Sequence, residues 1–226
     1  VNFLSHRKTT LYIGTNEGLY AYNYINNQCD LCSPLLKSKN IIAYQCNSDY
    51  QVVATDREVF LFDYNWNFIH KITIYKESLN NHITSMVIYG NQEALLGTES
   101  GLVIIHIEND GKTKSNTLYS GDKIVQLFID SRNKLWICRG EEILYSNIDT
   151  LDSVGISGFK HIAYNHEVIS FFEYANQVWV GTRGYGISIY EYDHSGKAVL
   201  KNKLLIDKSG DSELKNTLNK IYKDKK

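Results

Sequence analysis

Proline is nearly missing from this 226-residue chain, in which Pro34 is the single example. Net charge is also small, because 24 lysine and arginine residues nearly balance 25 aspartate and glutamate residues. Such a balance provides no general polyanion-binding surface, so nucleic acid is not expected as a partner. No apolar run approaches the roughly 20 residues that span a bilayer, and the first residues have no signal-peptide pattern. Membrane insertion by this part of the chain is therefore not expected.

Cysteine is scarce as well: Cys29, Cys32, Cys46 and Cys138 are too few for a disulfide framework in a chain of this size. The sequence CDLC has the C-x-x-C spacing of a redox pair or of half a zinc site, and we place it in a polar loop. No second C-x-x-C and no C-x-x-H lies nearby, whereas structural zinc needs four convergent ligands. We expect free thiols or a local disulfide between Cys29 and Cys32, and no metal.

Tyrosine, by contrast, is abundant (17 residues), and with Ile, Val, Thr and Phe it favours sheet over helix. One short sequence motif, which we call the repeat phrase, also recurs along the chain. Its small anchor residue is Gly14, Ala54, Gly97, Cys138 and Gly181 in successive copies, which gives steps of 40, 43, 41 and 43 residues. The copies are LYIGTNEGLYAY, VVATDREVFLF, LLGTESGLVII, LWICRGEEILY and VWVGTRGYGISIY. A period of about 40–45 residues is typical of a propeller blade.

Each repeat can be divided into four strands with a tight turn between the second and the third. The sequence therefore predicts an all-β chain that forms one β-propeller fragment over residues 1–226, with about five four-stranded blades. We place the blades near residues 1–40, 41–81, 82–122, 123–165 and 166–210. Residues 212–226 are predicted to be the first strand of a truncated next blade, so that the chain is part of a larger propeller.

The phrases DSRNKLWICRG, NQVWVGTRGYGISIYEYD and LYIGTNEGLYAYN resemble the two-component regulator propeller repeat. The resemblance covers nearly the whole chain and departs at Ala54 and Cys138, which replace the anchor glycine, and at Arg139, which replaces the threonine. We interpret Cys138, Trp136 and Trp179 as packing residues.

That resemblance implies the sensor part of a bacterial hybrid histidine kinase, within a seven-bladed ring. It implies a periplasmic location as part of an inner-membrane receptor, with the remaining blades and the signalling domains in the same chain. It also implies a homodimer in the full receptor and detection of a carbohydrate-type ligand such as an oligosaccharide.

Motifs for catalysis or cofactors are lacking. GTRGYG joins two antiparallel strands rather than a strand and a helix, so it is a turn and not a phosphate loop. The seven histidines show no metal-ligand spacing, and no G-x-S-x-G elbow occurs. We predict no catalytic residues, no cofactor, no metal and no enzymatic activity for this chain. A pair of carboxylates for glycan hydrolysis, for example Glu99 and Glu141, stays open as an alternative.

Candidate ligand-binding residues lie in the turns between second and third strands, which emerge on one face of a propeller. Their mixture of charge and hydrogen-bonding groups suits polar ligands such as sugars or carboxylates. The six candidates are Arg139, Arg183, Tyr185, Glu141, Arg57 and Asn16. Three classes of function remain: a ligand-sensing domain, a scaffold for protein interaction or dimerisation, and a glycan-acting enzyme.

Overall fold

Five four-stranded antiparallel sheets make up the computed structural model, which describes residues 1–74, 82–108, 111–151, 155–164 and 166–205. The all-β propeller fold with five blades is thereby confirmed. Blade 1 contains β1 (Phe3–Arg7), β2 (Thr10–Thr15), β3 (Gly18–Asn23) and β4 (Gln28–Leu31); blade 2 contains β5 (Ile41–Cys46), β6 (Gln51–Thr55), β7 (Glu58–Phe62) and β8 (Phe68–Thr73); blade 3 contains β9 (Ile83–Tyr89), β10 (Glu93–Thr98), β11 (Gly101–Ile107) and β12 (Thr113–Ser120); blade 4 contains β13 (Ile124–Ile129), β14 (Lys134–Arg139), β15 (Glu142–Asn147) and β16 (Lys160–Ala163); blade 5 contains β17 (Val168–Tyr174), β18 (Gln177–Thr182), β19 (Ile187–Tyr192) and β20 (Ala198–Leu204).

Two compact units divide these blades: residues 1–123 hold blades 1 to 3, and residues 124–226 hold blades 4 and 5. Within each unit, consecutive blades adjoin through their first strands, β1 with β5, β5 with β9, and β13 with β17. Each pair buries its own apolar cluster. The clusters are centred on Leu19 and Phe62 between blades 1 and 2, on Leu96 and Ile105 between blades 2 and 3, and on Trp136 and Val180 between blades 4 and 5.

The repeat phrase is explained by a side-chain latch across the β-turn. The threonine that ends the second strand donates its hydroxyl hydrogen to the carbonyl oxygen of the residue that begins or precedes the third strand, which closes the turn. The same hydroxyl accepts backbone N–H bonds from inside the turn, for example from Glu17 and from Ser100. The hydroxyl-to-carbonyl pairs are Thr15 to Gly18, Thr55 to Glu58, Thr98 to Gly101 and Thr182 to Gly186, at 2.9 to 3.1 Å.

Close approach explains the glycines of the phrase. A Cβ on Gly14 would lie 2.0 Å from the ring of Phe3, its cross-strand partner. Gly101 has a φ of +131°, and a Cβ there would lie 2.0 Å from the carbonyl oxygen of Tyr119. Because a backbone atom cannot move aside as a side chain can, Gly101 tolerates no larger residue without displacement of β12.

Aspartates organise a second kind of turn. Asp130 accepts backbone N–H bonds from Arg132 (3.0 Å) and Lys134 (2.9 Å), and Asn133 takes a φ of +56°. Asp63 and Asp193 form matching turns in blades 2 and 5. The side chain satisfies donors that the reversing backbone leaves without carbonyl partners, so the turn is fixed locally.

Cysteine placement differs in part from the prediction. Cys29 lies on strand β4 and not in a polar loop, since β3 and β4 pair through Tyr22 and Cys29. All four cysteines are free, so no disulfide joins Cys29 to Cys32. Cys138 is fully buried in the blade 4–blade 5 cluster, where burial raises the pKa of its thiol to about 12; it is a packing residue, as predicted.

Two expectations about the tail and the ring are left as predictions. The proposed next strand at 212–226 lies outside the described residues. The larger seven-bladed ring likewise stays a prediction.

Candidate ligand-binding site

Five of the six sequence-predicted residues lie in the turns between second and third strands, and the sixth, Arg139, ends strand β14 next to such a turn. Asn16 lies in the β2–β3 turn and Arg57 in the β6–β7 turn, both in the first unit. The second unit holds the rest: Arg139 and Glu141 at the β14–β15 turn, and Arg183 and Tyr185 at the β18–β19 turn. Asn16, Arg57, Glu141 and Arg183 are exposed, whereas Arg139 and Tyr185 are half-buried.

Arg139 occupies the position of the latch threonine in blade 4. Its guanidinium donates to the carboxylate of Glu142 at 2.7 Å, so an ion pair closes this turn in place of a hydroxyl. The same interaction, partly opposed by desolvation, holds the pKa of Glu142 below its ordinary value. Arg139 therefore has a structural partner, while Glu141 lies in the exposed middle of the turn.

Blade 5 brings together five polar and charged side chains, which we call the blade-5 cluster: His166, Glu167, Arg183, Tyr185 and Lys203. The rings of His166 and Tyr185 stack with centroids 3.4 Å apart at an interplanar angle of 11°. Lys203 places its ammonium 5.6 Å from the Tyr185 centroid. Arg183 pairs with Glu167 at 2.7 Å, and a backbone bond from Arg183 to Glu167 ties the two loops together.

The electrostatics of the blade-5 cluster favour an anionic or strongly polar ligand. The cluster contains two cations, Arg183 and Lys203, and one carboxylate, Glu167. The Arg183 side chain is 62% exposed, so its N–H groups face solvent as well as Glu167. The rings of Tyr164 and His166 also meet in a T-shaped arrangement, with centroids 6.0 Å apart. Burial raises the pKa of Tyr164, despite a hydrogen bond with Ser188, so it stays a neutral phenol. Sequence reasoning predicted Arg183 and Tyr185 but missed His166 and Lys203, which approach from neighbouring segments.

The blade 2 turn is dominated by a different contact. Glu58, next to Arg57, bonds Lys39 at 2.6 Å and Lys71 at 2.8 Å. Partial burial favours the neutral acid, but the two lysines outweigh this effect and hold the pKa of Glu58 below its ordinary value. Arg57 itself lies 3.9 Å from Asp56 and is largely exposed.

Replacement of the Glu58 carboxylate should lower the free energy of unfolding by an amount that depends on pH. Because the folded pKa is lowered, the stabilisation is complete above the unfolded pKa and is lost as pH falls through the folded value. Glu58→Gln should lower the free energy of unfolding by about 1 kcal/mol at neutral pH, after allowance for screening of the two partly exposed lysines. As pH falls below the folded pKa of Glu58, the two proteins should converge. Urea unfolding at neutral pH and over a series of acidic pH values tests this, with Glu17→Gln as an exposed control. A difference that stays constant over the whole series would contradict it.

A cavity that sequence reasoning missed lies at the opposite end of the strands in the first unit. Its volume is about 480 Å³, and it lies between the β5–β6 and β9–β10 turns. It is lined by Asp49, Tyr50, Tyr89, Glu93 and residues 90–92. The tyrosines and the polar turn sequences NSDY and GNQ could have indicated a binding surface. The sequence alone does not show that two turns about 40 residues apart lie side by side in the fold.

Within the described parts of the chain, no group of three or more His, Cys, Asp or Glu residues is arranged to hold a metal ion. In those same parts, no helix has the length and apolarity needed to cross a membrane.

Comparison with known proteins shows the fold and leaves the family open. No protein-family model and no curated protein matches the chain. Among solved structures, the extracellular domain of a protein described as a one-component system of B. thetaiotaomicron aligns with a TM-score of 0.70 and 18% identity, over 98% of this chain and 30% of that one. PorZ, a surface component of the type-IX secretion system of Porphyromonas gingivalis, aligns with a TM-score of 0.58 and 12% identity, over 89% and 26%. Hsv2 of Kluyveromyces lactis aligns with a TM-score of 0.58 and 13% identity, over 87% and 62%. This chain thus spans less than a third of the two bacterial structures.

Proposed function

We propose that this chain is part of an extracytoplasmic sensor propeller of a bacterial signal-transduction receptor. In this proposal it binds a carbohydrate-type ligand and passes the signal to a histidine kinase elsewhere in the receptor, which lies in the inner membrane. The chain has no catalytic role of its own. The repeat phrases and the likeness to an extracellular domain of a one-component system support the proposal. The observation that carries the ligand class is the blade-5 cluster.

The chemistry of the cluster suits an acidic sugar. Arginine binds a carboxylate through two parallel N–H bonds, and a lysine ammonium adds a second point charge. The Tyr185 ring, fixed by His166, offers a hydroxyl and a flat apolar body beside these cations. A sugar carboxylate would compete with Glu167 for Arg183, so ligand binding would change the contact between the β18–β19 turn and the segment before β17. That change is a structural signal.

Direct binding tests the proposal. We expect digalacturonic acid to bind in isothermal titration calorimetry and the neutral digalactose to bind at least about tenfold more weakly, since one charge-assisted hydrogen bond contributes that much. Arg183→Gln combined with Tyr185→Ala should abolish the preference. Arg132→Gln, at the other end of the same unit, removes one arginine as the matched control. In the complete receptor, the double variant should lose ligand-dependent phosphorylation. Equal binding of both sugars, or an unaffected double variant, would overturn the proposal.

Self-association is a second candidate function, favoured by the last described strand. β20 is the outermost strand of its sheet and exposes Val199, Leu200 and Leu204, which are 46%, 53% and 40% accessible. An outer edge with exposed apolar side chains is suited to pairing with the same edge of a second copy. The expected homodimer should appear in light scattering as protein concentration rises, and Val199→Lys with Leu200→Lys should abolish it. Leu4→Lys is the control; a wild-type chain that stays monomeric throughout would exclude the contact.

A further inference from the structure

The cavity between the β5–β6 and β9–β10 turns has the features of a second binding site, independent of the blade-5 cluster. It is an open hollow of about 480 Å³, and a neighbouring hollow of about 350 Å³ shares Gln92 and Glu93 with it. Ligand sites for small molecules commonly fall in this range of volume.

Side-chain amides hold the walls of this cavity in place. Asn47 accepts backbone N–H bonds from Asp49 (2.9 Å) and Tyr50 (2.8 Å), and donates to the carbonyl oxygens of Gly90 and Asn91 in the facing turn. Gln45 connects the same two strands deeper in the blades, since its carbonyl accepts from Ile88 at 2.7 Å and its amide donates to Met86. The two turns are therefore fixed relative to each other, which lowers the entropic cost of binding.

The charge of the lining points to the sign of the ligand. Asp49 and Glu93 contribute carboxylates, and no lysine or arginine is among the described residues that line this hollow. The imidazole of His106 lies 3.2 Å from Glu93, on the side of the smaller hollow. Tyr50 and Tyr89 line the same cavity, and an aromatic face attracts a cation. The amides of Asn91 and Gln92 add donors and acceptors for hydroxyl groups.

We propose that this cavity binds a small primary amine that also carries hydroxyl groups, of the amino-sugar class. Asp49 and Glu93 bind the ammonium group, a tyrosine ring packs against the apolar face of the sugar, and the turn amides bind its hydroxyls. An acetylated amine has no charge and loses the first of these interactions. The site therefore distinguishes a free amino sugar from its N-acetyl form.

Calorimetry near neutral pH with three matched sugars tests the proposal. Glucosamine should bind at least about tenfold more tightly than N-acetylglucosamine or glucose, because the lost contact is a charge-assisted hydrogen bond. Asp49→Asn combined with Glu93→Gln keeps the shape of the lining and should reduce glucosamine affinity at least about tenfold. Asp30→Asn removes one exposed carboxylate on β4, outside the cavity, and should leave binding unchanged.

Several outcomes would overturn the proposal. They are no binding of any of the three sugars, equal binding of all three, and an Asp49→Asn/Glu93→Gln variant that binds like the wild type while its circular dichroism is unchanged. Putrescine, an amine without hydroxyl groups, serves as a fourth probe. If putrescine binds as tightly as glucosamine, the site recognises only the ammonium charge and the amino-sugar assignment is wrong. Variants of Arg183 and Tyr185 should not affect glucosamine binding, so this site and the proposed acidic-sugar site fail or succeed separately.

Discussion

Trp136→Ala should be the most destabilising single substitution of an aromatic residue in the second unit, with a loss of about 4 kcal/mol in the free energy of unfolding. Trp136 is fully buried, and its ring stacks on Tyr145 with centroids 5.0 Å apart. Its indole N–H donates to the buried carboxylate of Asp130 at 2.9 Å and lies 3.0 Å from the hydroxyl oxygen of Tyr192. Truncation to alanine therefore leaves a large cavity and removes a donor from a buried carboxylate.

Trp136→Phe separates the two effects. It keeps most of the ring but removes the N–H, so the expected loss is about 1–2 kcal/mol. Trp179→Phe is the matched control, since the described residues provide no hydrogen-bond partner for the buried Trp179 indole N–H, and a smaller effect is expected there. Urea unfolding followed by far-ultraviolet circular dichroism avoids the change in tryptophan fluorescence. Equal losses for both phenylalanine variants would show that the Asp130 bond contributes nothing.

Gly101→Ala should cost about 3 kcal/mol, because alanine must adopt a positive φ that L-residues rarely take. A Cβ at Gly101 would also lie 2.0 Å from the carbonyl oxygen of Tyr119, so the first β11–β12 pair must separate. Gly140→Ala is the control: its φ is also positive, at +57°, but nothing lies within 4 Å of its Cβ position. The expected cost there is about 1 kcal/mol.

Denaturant unfolding of both glycine variants measures the difference. Hydrogen exchange of the β11 and β12 amides adds a local readout, since the loss of protection should be concentrated at this end of the hairpin. If Gly101→Ala and Gly140→Ala cost the same, the close approach of Tyr119 does not constrain the turn.

The blade architecture was predictable because it depends on local periodicity. A small anchor, a turn threonine and alternating apolar residues recur about every 40 residues, and each maps onto one strand pair. The role of Asp130 was harder to predict from the sequence. Its position before a lysine, a leucine and Trp136 was visible, but its bond to Tyr192 spans 62 residues and depends on the packing of blade 5 against blade 4.

The candidate site was predictable only in part. Turn position identified Arg183 and Tyr185, because turns expose polar residues. The stack with His166 and the contact of Lys203 arise from segments before β17 and on β20, whose positions no local pattern encodes. Arg139 shows the opposite case: the sequence marked it as a departure from threonine, and its ion pair with Glu142 gives the physical reason. CDLC was predicted to lie in a polar loop because its local sequence is polar. The pairing of β4 with β3, which places Cys29 on a strand, is not visible in that local sequence.

The threonine latch has an evolutionary consequence. Where Thr15 or Thr98 bonds a glycine across the turn, the turn is closed by its first and last residues. The side chains of the two residues between them take no part in this bond, and they already differ between copies, as Asn-Glu in one blade and Glu-Ser in another. Substitutions at these inner positions can therefore change the surface of one blade at a time while the threonine–glycine bond is kept.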